Sequence, residues 1–291
     1  MVALTPPLVS IVLPVYNGAR YLKESIQSCL DQTYLRWELL IVDDASTDQT
    51  SAIIAEFTAK DDRVRYIRHE TNKRLPAALN TGFAHAQGEY LTWTSDDNRY
   101  HPQALEEMVE ILASNKYVDF VYTDYDEISE TGQLMQSIIA EPPMQLIEKH
   151  TGLACFLYRR SLYEQIGSYS EDLFLAEDYD YWLRILASGF HMYPLHKSLY
   201  WYRRHPDSLT DEQRGHTFLA AERALLRNLP KMAWAGTAVQ GKAYLYLASL
   251  AAWRGSHRAA FLYSIRAMRY APAAVTAKVA FFLAKCIGHQ R

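Results

Sequence analysis

Two adjacent acids close an apolar run near the first third of the chain: Tyr90-Leu91-Thr92-Trp93 is followed by Thr94-Ser95-Asp96-Asp97-Asn98. Neighbouring like charges at the end of a core element are costly unless a cation or hydrogen-bond donors sit beside them. A divalent ion carrying a diphosphate meets that need, since Mg2+ is commonly held by one or two carboxylates together with substrate phosphates. An Asp-Asp-Asn turn that serves only its own backbone meets it as well. Similar polar pairs follow other apolar runs, Tyr16-Asn17 after Val9–Val15 and Asp43-Asp44 after Trp37–Val42. A fourth group, Glu177-Asp178-Tyr179-Asp180, opens an amphipathic stretch with Tyr181, Trp182, Ile185 and Leu186 on its apolar side. Acids are favoured in the first turn of a helix by its dipole. Three acids within these four residues exceed that need, and one of them could act as a general base.

The elements around these groups alternate. Apolar strands are expected over Val9–Val15, Trp37–Val42, Arg63–Arg68 and Tyr90–Thr94, separated by helical patterns over Gly18–Asp31, from Ser46 or Thr47 through Phe57, and over Leu75–Ala86. Beyond His101 a helix over Pro102–Leu112 and a strand over Val118–Tyr125 follow, and Gly152–Arg159 is an apolar segment lining the second half of a site. Continuously apolar strands alternating with helices predict an α/β fold, a mostly parallel sheet with helices on both faces. Ligands of such sheets bind outside the carboxyl ends of the strands, which would gather residues 16–17, 43–44 and 95–97 at one edge. Neither a Gly-x-Gly-x-x-Gly after the first strand nor a P-loop is present, so a diphosphate would be held by a metal and side chains rather than by a glycine cradle.

With 291 residues, 49% of them hydrophobic, the chain suits one sizeable domain plus an appendage. Cys29, Cys155 and Cys286 are odd in number and widely spaced, so no disulfide framework or metal motif is expected and a reducing cytosol is the default. No signal peptide is read at Met1–Ser10, and no spanning helix is expected. Charge divides the chain sharply. Residues 223–291 hold eleven Lys/Arg and no acid, whereas 1–222 hold 19 Lys/Arg and 33 Asp/Glu. Two parts follow, 1–212 and a basic helical region 213–291, with helices over 213–228, 232–253, 257–270 and 272–287. Lys242–Pro272 resembles a single tetratricopeptide-like unit, which cannot bury its own face. Basic residues mixed with Trp234, Trp253, Phe261, Tyr263 and Tyr270 suit either an anionic bilayer surface or a helical cap with aromatics in its core. No nucleic-acid-reading motif is present.

The ordered set Val9 to Asn17, Gln32-Thr33-Tyr34, Glu38 to Asp48, Ala78 to Gly82, Gly88 to Leu91, Ser95-Asp96-Asp97, Tyr158-Arg159-Arg160, Gly167 and Glu177 to Arg184 resembles the inverting family 2 glycosyltransferases of the GT-A (Rossmann-like) fold, over roughly residues 8–210. The resemblance implies a nucleotide-diphosphosugar donor, usually UDP-linked, a Mn2+ or Mg2+ ion, and a glycan or lipid-linked acceptor. It implies that Pro14, Tyr16 and Asn17 line the nucleotide pocket and that Asp44 hydrogen-bonds the base. Asp96 would lie near the ribose or sugar, Asp97 would bind the metal, and Asp178 would be the catalytic base. Arg203 and Arg204 would pair with phosphate oxygens, and His205 would join the metal. Arg74, from the basic cluster Arg68-His69-Lys73-Arg74, would lie near the nucleotide.

Thr94 departs from the Asp-x-Asp of many members, and the Gln-x-x-Arg-Trp of processive synthases is not found after Asp178, so transfer of one sugar per encounter is expected. Bacterial surface-polysaccharide or lipopolysaccharide assembly is the setting that the resemblance implies, in the cytoplasm or at the inner face of the membrane. Two rivals remain. A sugar-phosphate nucleotidyltransferase would need a Gly-rich basic loop where Tyr16-Asn17-Gly18-Ala19 stands. A degenerate transferase that recruits partners through its basic tail would be expected to have lost Asp97 or Asp178, and both are present.

Overall fold

The computed structural model describes residues 5–149, 152–209 and 213–272. They form two compact units. Of the described residues, the first comprises 5–143, 152–174 and 189–208, and the second comprises 144–149, 175–188, 209 and 213–272. The second unit's long final stretch starts at residue 209, and the unit also takes in the helix that carries Asp178.

In the first unit one sheet runs through the whole body. Its first half is the parallel set read from the sequence: β1 (Val9–Val15), β2 (Trp37–Asp43), β3 (Val64–Arg68) and β4 (Tyr90–Trp93). β1 and β2 are buried at every position, as strands covered on both faces must be. Helices α1 (Leu22–Leu30), α2 (Thr50–Thr58) and α3 (Leu75–His85) connect them. The Gly18–Tyr21 stretch ahead of α1 is a turn, with the Leu22 amide donating to the Gly18 carbonyl.

The second half is mixed. β5 (Arg99–Tyr100), α4 (Ala104–Ser114), β6 (Phe120–Ile128), β7 (Leu134–Ile138), β8 (Phe156–Arg159), α5 (Arg160–Ile166) and β9 (Met192–Arg203) complete a sheet of order β3-β2-β1-β4-β8-β6-β9-β5, with β7 on β6. The apolar segment 152–159 contains β8, a central strand. It pairs antiparallel with both β4 and β6, and its Phe156, Leu157 and Tyr158 are buried. Its flat aromatic rows, Phe120 on Phe156 and on Tyr158, hold that seam together.

In the second unit, α6 (Glu177–Ala187) lies with α7 (Arg214–Asn228), α8 (Thr237–Trp253) and α9 (His257–Tyr270), and a 3-10 turn over Leu229–Ala235 joins α7 to α8. These match the expected tail helices to within a few residues; the one expected over 272–287 lies, past Pro272, outside the described residues. Asn228 bonds Asp180 of α6 at 2.8 Å, and Tyr244 stacks on Tyr270. Gly241 lets α8 approach the end of α9, because a Cβ there would lie 2.3 Å from the Ala271 methyl. Among the described residues no helix is long and apolar enough to cross a membrane.

Candidate active site

The chain order in the sheet reverses between β1 and β4: β2 and β3 lie on one side of β1, and β4 lies on the other. Such a reversal opens a crevice at the strands' carboxyl ends. Gly18 of the β1 loop meets the β4 loop there so closely that a Cβ on it would fall 1.7 Å from Asp96 Oδ2. The loop after β1 is fastened to the loop after β2. Asn17 N–H donates to Ser46 Oγ (2.9 Å), Thr47 N–H to Asn17 Oδ1 (2.8 Å), Gly18 N–H to Thr50 Oγ1 (3.1 Å) and Ala19 N–H to Asp48 Oδ2 (3.1 Å). Asn17, Ala45 and Arg74, one in each of three loops at this edge, have φ of 53°, 66° and 72°. Non-glycine residues in that region mark backbone held by its surroundings, a feature that clusters at functional sites.

The two acids at the end of β2 have distinct environments. Asp43 is buried among donors: Ser46 N–H, Tyr66 hydroxyl and Ser51 hydroxyl, with Arg68 at 3.2 Å. Burial pushes its carboxyl up, but these hydrogen bonds outweigh burial and hold it below the ordinary range. Asp44, also buried, accepts from His69 Nδ1 (2.6 Å), Lys73 N–H (2.8 Å) and Arg74 N–H (2.7 Å). It thereby shapes the loop that ends in Arg74, whose exposed guanidinium lies over the Phe174 ring.

After β4, Asp96 is pushed up to about 8, first by burial and then by the neighbouring Asp97 and by Asp48. Asp97 Oδ2 lies 3.0 Å from His205 Nε2. Asp97 Oδ1 and His205 Nδ1 are buried without a hydrogen-bond partner. Tyr21 packs against the imidazole at 5.1 Å. Arg203 is 2% exposed. Its guanidinium donates to the Asp97 carbonyl (3.0 Å), the Glu130 carbonyl (2.6 Å) and Glu24 Oε2 (2.7 Å), and it lies over the Tyr21 ring. The Arg204 backbone N–H donates to the Ile128 carbonyl. Pro14 is buried in β1, and Tyr16 is half exposed beyond it.

The first unit thus carries Tyr16, Asn17, Asp44, Arg74, Asp96, Asp97 and His205 on its loops, with Pro14 near the end of β1 and Arg203 at the end of β9. Asp178 belongs to the second unit, where it is half-buried in the first turn of α6 and bonds the Tyr179 N–H. Its neighbours separate clearly. Asp180 is consumed by Arg184 (2.9 Å) and Asn228. Glu177 is buried, has an unpartnered Oε2, and is pushed up to about 8 by burial and by Asp178. Sequence reasoning assigned no task to His69, Tyr21 or Gly18. The glycine directly after Asn17 was the available signal; the contacts of His69 and Tyr21 are long-range and left none.

Residues 10–169 match the family model described as Glycosyl transferase family 2. EpsE of Bacillus subtilis (strain 168), named as a candidate glycosyltransferase, is 34% identical over 218 residues, which cover 73% of this chain and 78% of EpsE. TuaG of the same organism, named as a candidate teichuronic acid biosynthesis glycosyltransferase, is 28% identical over 211 residues, covering 71% of this chain and 83% of TuaG. Two Rickettsia proteins called uncharacterized glycosyltransferases are longer, and the match spans 31% and 32% of them. The structure of S. aureus TarS 1-349 in complex with UDP matches at a TM-score of 0.64 and 17% identity, covering 90% of this chain and 89% of that one. The mannosyltransferase PcManGT from Pyrobaculum calidifontis, in complex with GDP-Man and Mn2+, matches at 0.66 and 18%, covering 98% and 81%. At these identities the structures speak for the fold. The chain belongs to glycosyl transferase family 2, with a GT-A fold and C-terminal helices.

Proposed function

We propose that this protein moves one sugar from a nucleotide-diphosphosugar, with UDP the favoured nucleotide, to an acceptor hydroxyl, inverting the anomeric centre. The observation that carries this reading is the Asp97–His205 pair, with its unpartnered Oδ1, at the crevice where Gly18 meets Asp96. The neighbours bound to UDP and to GDP-Man with Mn2+ support the donor class. TuaG's name, a teichuronic acid biosynthesis glycosyltransferase, supports a glycan as the acceptor class; the reading takes that glycan as free or lipid-linked and the reaction as cytoplasmic.

The Asp97 carboxylate fits Mn2+ or Mg2+, and the imidazole beside it suits the transition metal Mn2+ better than Mg2+. Among the described residues no group of three or more His, Cys, Asp or Glu could hold a metal; Asp97 and His205 are the two residues that would hold it, with the donor's oxygens completing the set. When bound, the ion supplies positive charge against the departing diphosphate. Pro14, Tyr16 and Asn17 line the nucleotide pocket. A carboxylate offers about four acceptor positions, and Asp44 uses three on the 69–74 loop, leaving one for the base. Asp96 faces the ribose or sugar, and Arg74 and Arg204 face the nucleotide and its phosphates. Arg203, its guanidinium turned to backbone carbonyls and Glu24, positions Asp97. Asp178, matched through the family pattern, takes the acceptor proton. The acceptor oxygen bonds the anomeric carbon as the bond to the diphosphate oxygen breaks, and the nucleotide diphosphate leaves with that electron pair.

The test is release of nucleotide diphosphate from a panel of UDP- and GDP-sugars with glycan and lipid-linked acceptors. Asp178→Asn is expected to lower turnover by about 10²–10⁴-fold while nucleotide binding persists. Wild-type turnover in that variant removes the base assignment. A wild-type protein that consumes none of the donors removes the transfer itself.

A further inference from the structure

The outer face of α9 carries a pattern that the transfer reaction leaves unused. Residues 258, 261, 262, 265 and 269 recur at three- and four-residue spacing and share one face. Phe261 and Leu262 on it are 66% and 50% exposed. Arg258 and Arg269, one near each end of the helix, are exposed as well. Among the described residues neither arginine has an acidic partner. Trp253, at the turn into α9, is 64% exposed with its ring against Phe218. The acid of α7 that comes nearest in sequence, Glu222, is buried and bound to Arg254 and Tyr263, so it does not neutralise the face.

A face that is apolar in the middle, cationic at both ends and edged by tryptophan matches the boundary of an anionic bilayer. There aromatic and aliphatic groups enter the acyl margin, and each nearby Arg is drawn to the surface charge. A protein partner of ordinary surface composition would offer acids only at points, whereas an anionic bilayer offers them across its whole plane, which suits a stretch, 223–291, that holds no acid. We propose that the α9 face, with Trp253, is a landing surface for anionic phospholipid bilayers. It goes beyond the transfer reaction and does not depend on it.

Sedimentation of the full chain with phosphatidylcholine vesicles, with and without phosphatidylglycerol, tests this at low and high NaCl. Binding is expected only with phosphatidylglycerol, and it should weaken as salt rises. Arg258→Glu with Arg269→Glu should lower the partition coefficient by about tenfold or more, and Phe261→Ser with Leu262→Ser should lower it also. UDP-induced thermal shifts should stay as in wild type, since the nucleotide crevice is built from the first unit and these residues belong to the second. As a reading that needs no charge reversal, a vesicle-induced blue shift of tryptophan emission should shrink in Trp253→Phe. No sedimentation with phosphatidylglycerol, or double variants that sediment like wild type through residues 273–291 or any other surface, would overturn the proposal.

Discussion

Asp97 and Glu177 each have a buried carboxylate oxygen that nothing among the described residues satisfies, yet the two differ in what surrounds them. Asp97 has an imidazole at 3.0 Å, and a cation would complete it. Asp97→Asn should therefore abolish any Mn2+-dependent gain in nucleotide affinity and leave the melting temperature of the free protein nearly unchanged, a contrast that calorimetry and thermal shift can read together. At Glu177 burial and the second acid beside it outweigh the backbone hydrogen bonds that the carboxylate accepts, and push it up to about 8. The unfolded chain releases this proton near the ordinary Glu value, about 4.3, so between that pH and about 8 the native state binds more protons. Stability must then fall as pH rises through this window and level off above it. Glu177→Gln should flatten that slope and raise stability at pH 8 by an amount on the order of a few kcal/mol, with the gain vanishing toward pH 4. Urea melts at a series of pH values measure it; equal slopes in both proteins would show that Glu177 ionises normally.

At the scale of elements, the crevice depends on two tight fits. Gly18→Ala places a methyl on the Asp96 carboxylate. Forcing atoms into such a site costs about 1–3 kcal/mol, and nucleotide affinity should fall with it, as titration of the purified variant would show. Arg203 ties the β4 loop, the start of α1 and the β6–β7 turn together through Asp97, Glu24 and Glu130. Arg203→Lys should not rescue what Arg203→Ala loses, because an ammonium cannot span three divergent acceptors. The parallel half of the sheet was legible in the sequence because each strand is an unbroken apolar run ending in polar residues. β8 was not, because a four-residue apolar run inside a sheet carries no mark of its direction, and its antiparallel pairing is set by strands far along the chain. β7 escaped for the opposite reason: Leu134, Met135, Gln136 and Ser137 are all exposed and show no alternation. Arg203 is expected, with Arg204, to pair with phosphate oxygens, and only three acceptors from distant segments reveal its guanidinium as buried and engaged within the protein.

At the scale of the molecule, the charge asymmetry along the sequence coincides with a structural division. The acid-rich portion builds the sheet and its crevice, and the basic portion builds most of the second unit. Glu222 is the acid that organises this basic unit, bonding Arg254 twice and the Tyr263 hydroxyl once. Glu222→Ala should lower the stability of that unit by roughly 1–3 kcal/mol, seen as earlier loss of helical circular dichroism. The claim on which all else rests is that the sheet-edge crevice holds a nucleotide diphosphate with a divalent ion. Isothermal titration of UDP into the protein with Mn2+, repeated after chelation and with Asp97→Asn, tests it most directly. The account predicts saturable binding with Mn2+ that chelation and the substitution each weaken strongly. Binding that is indifferent to both, or absent for UDP and GDP alike, would contradict it.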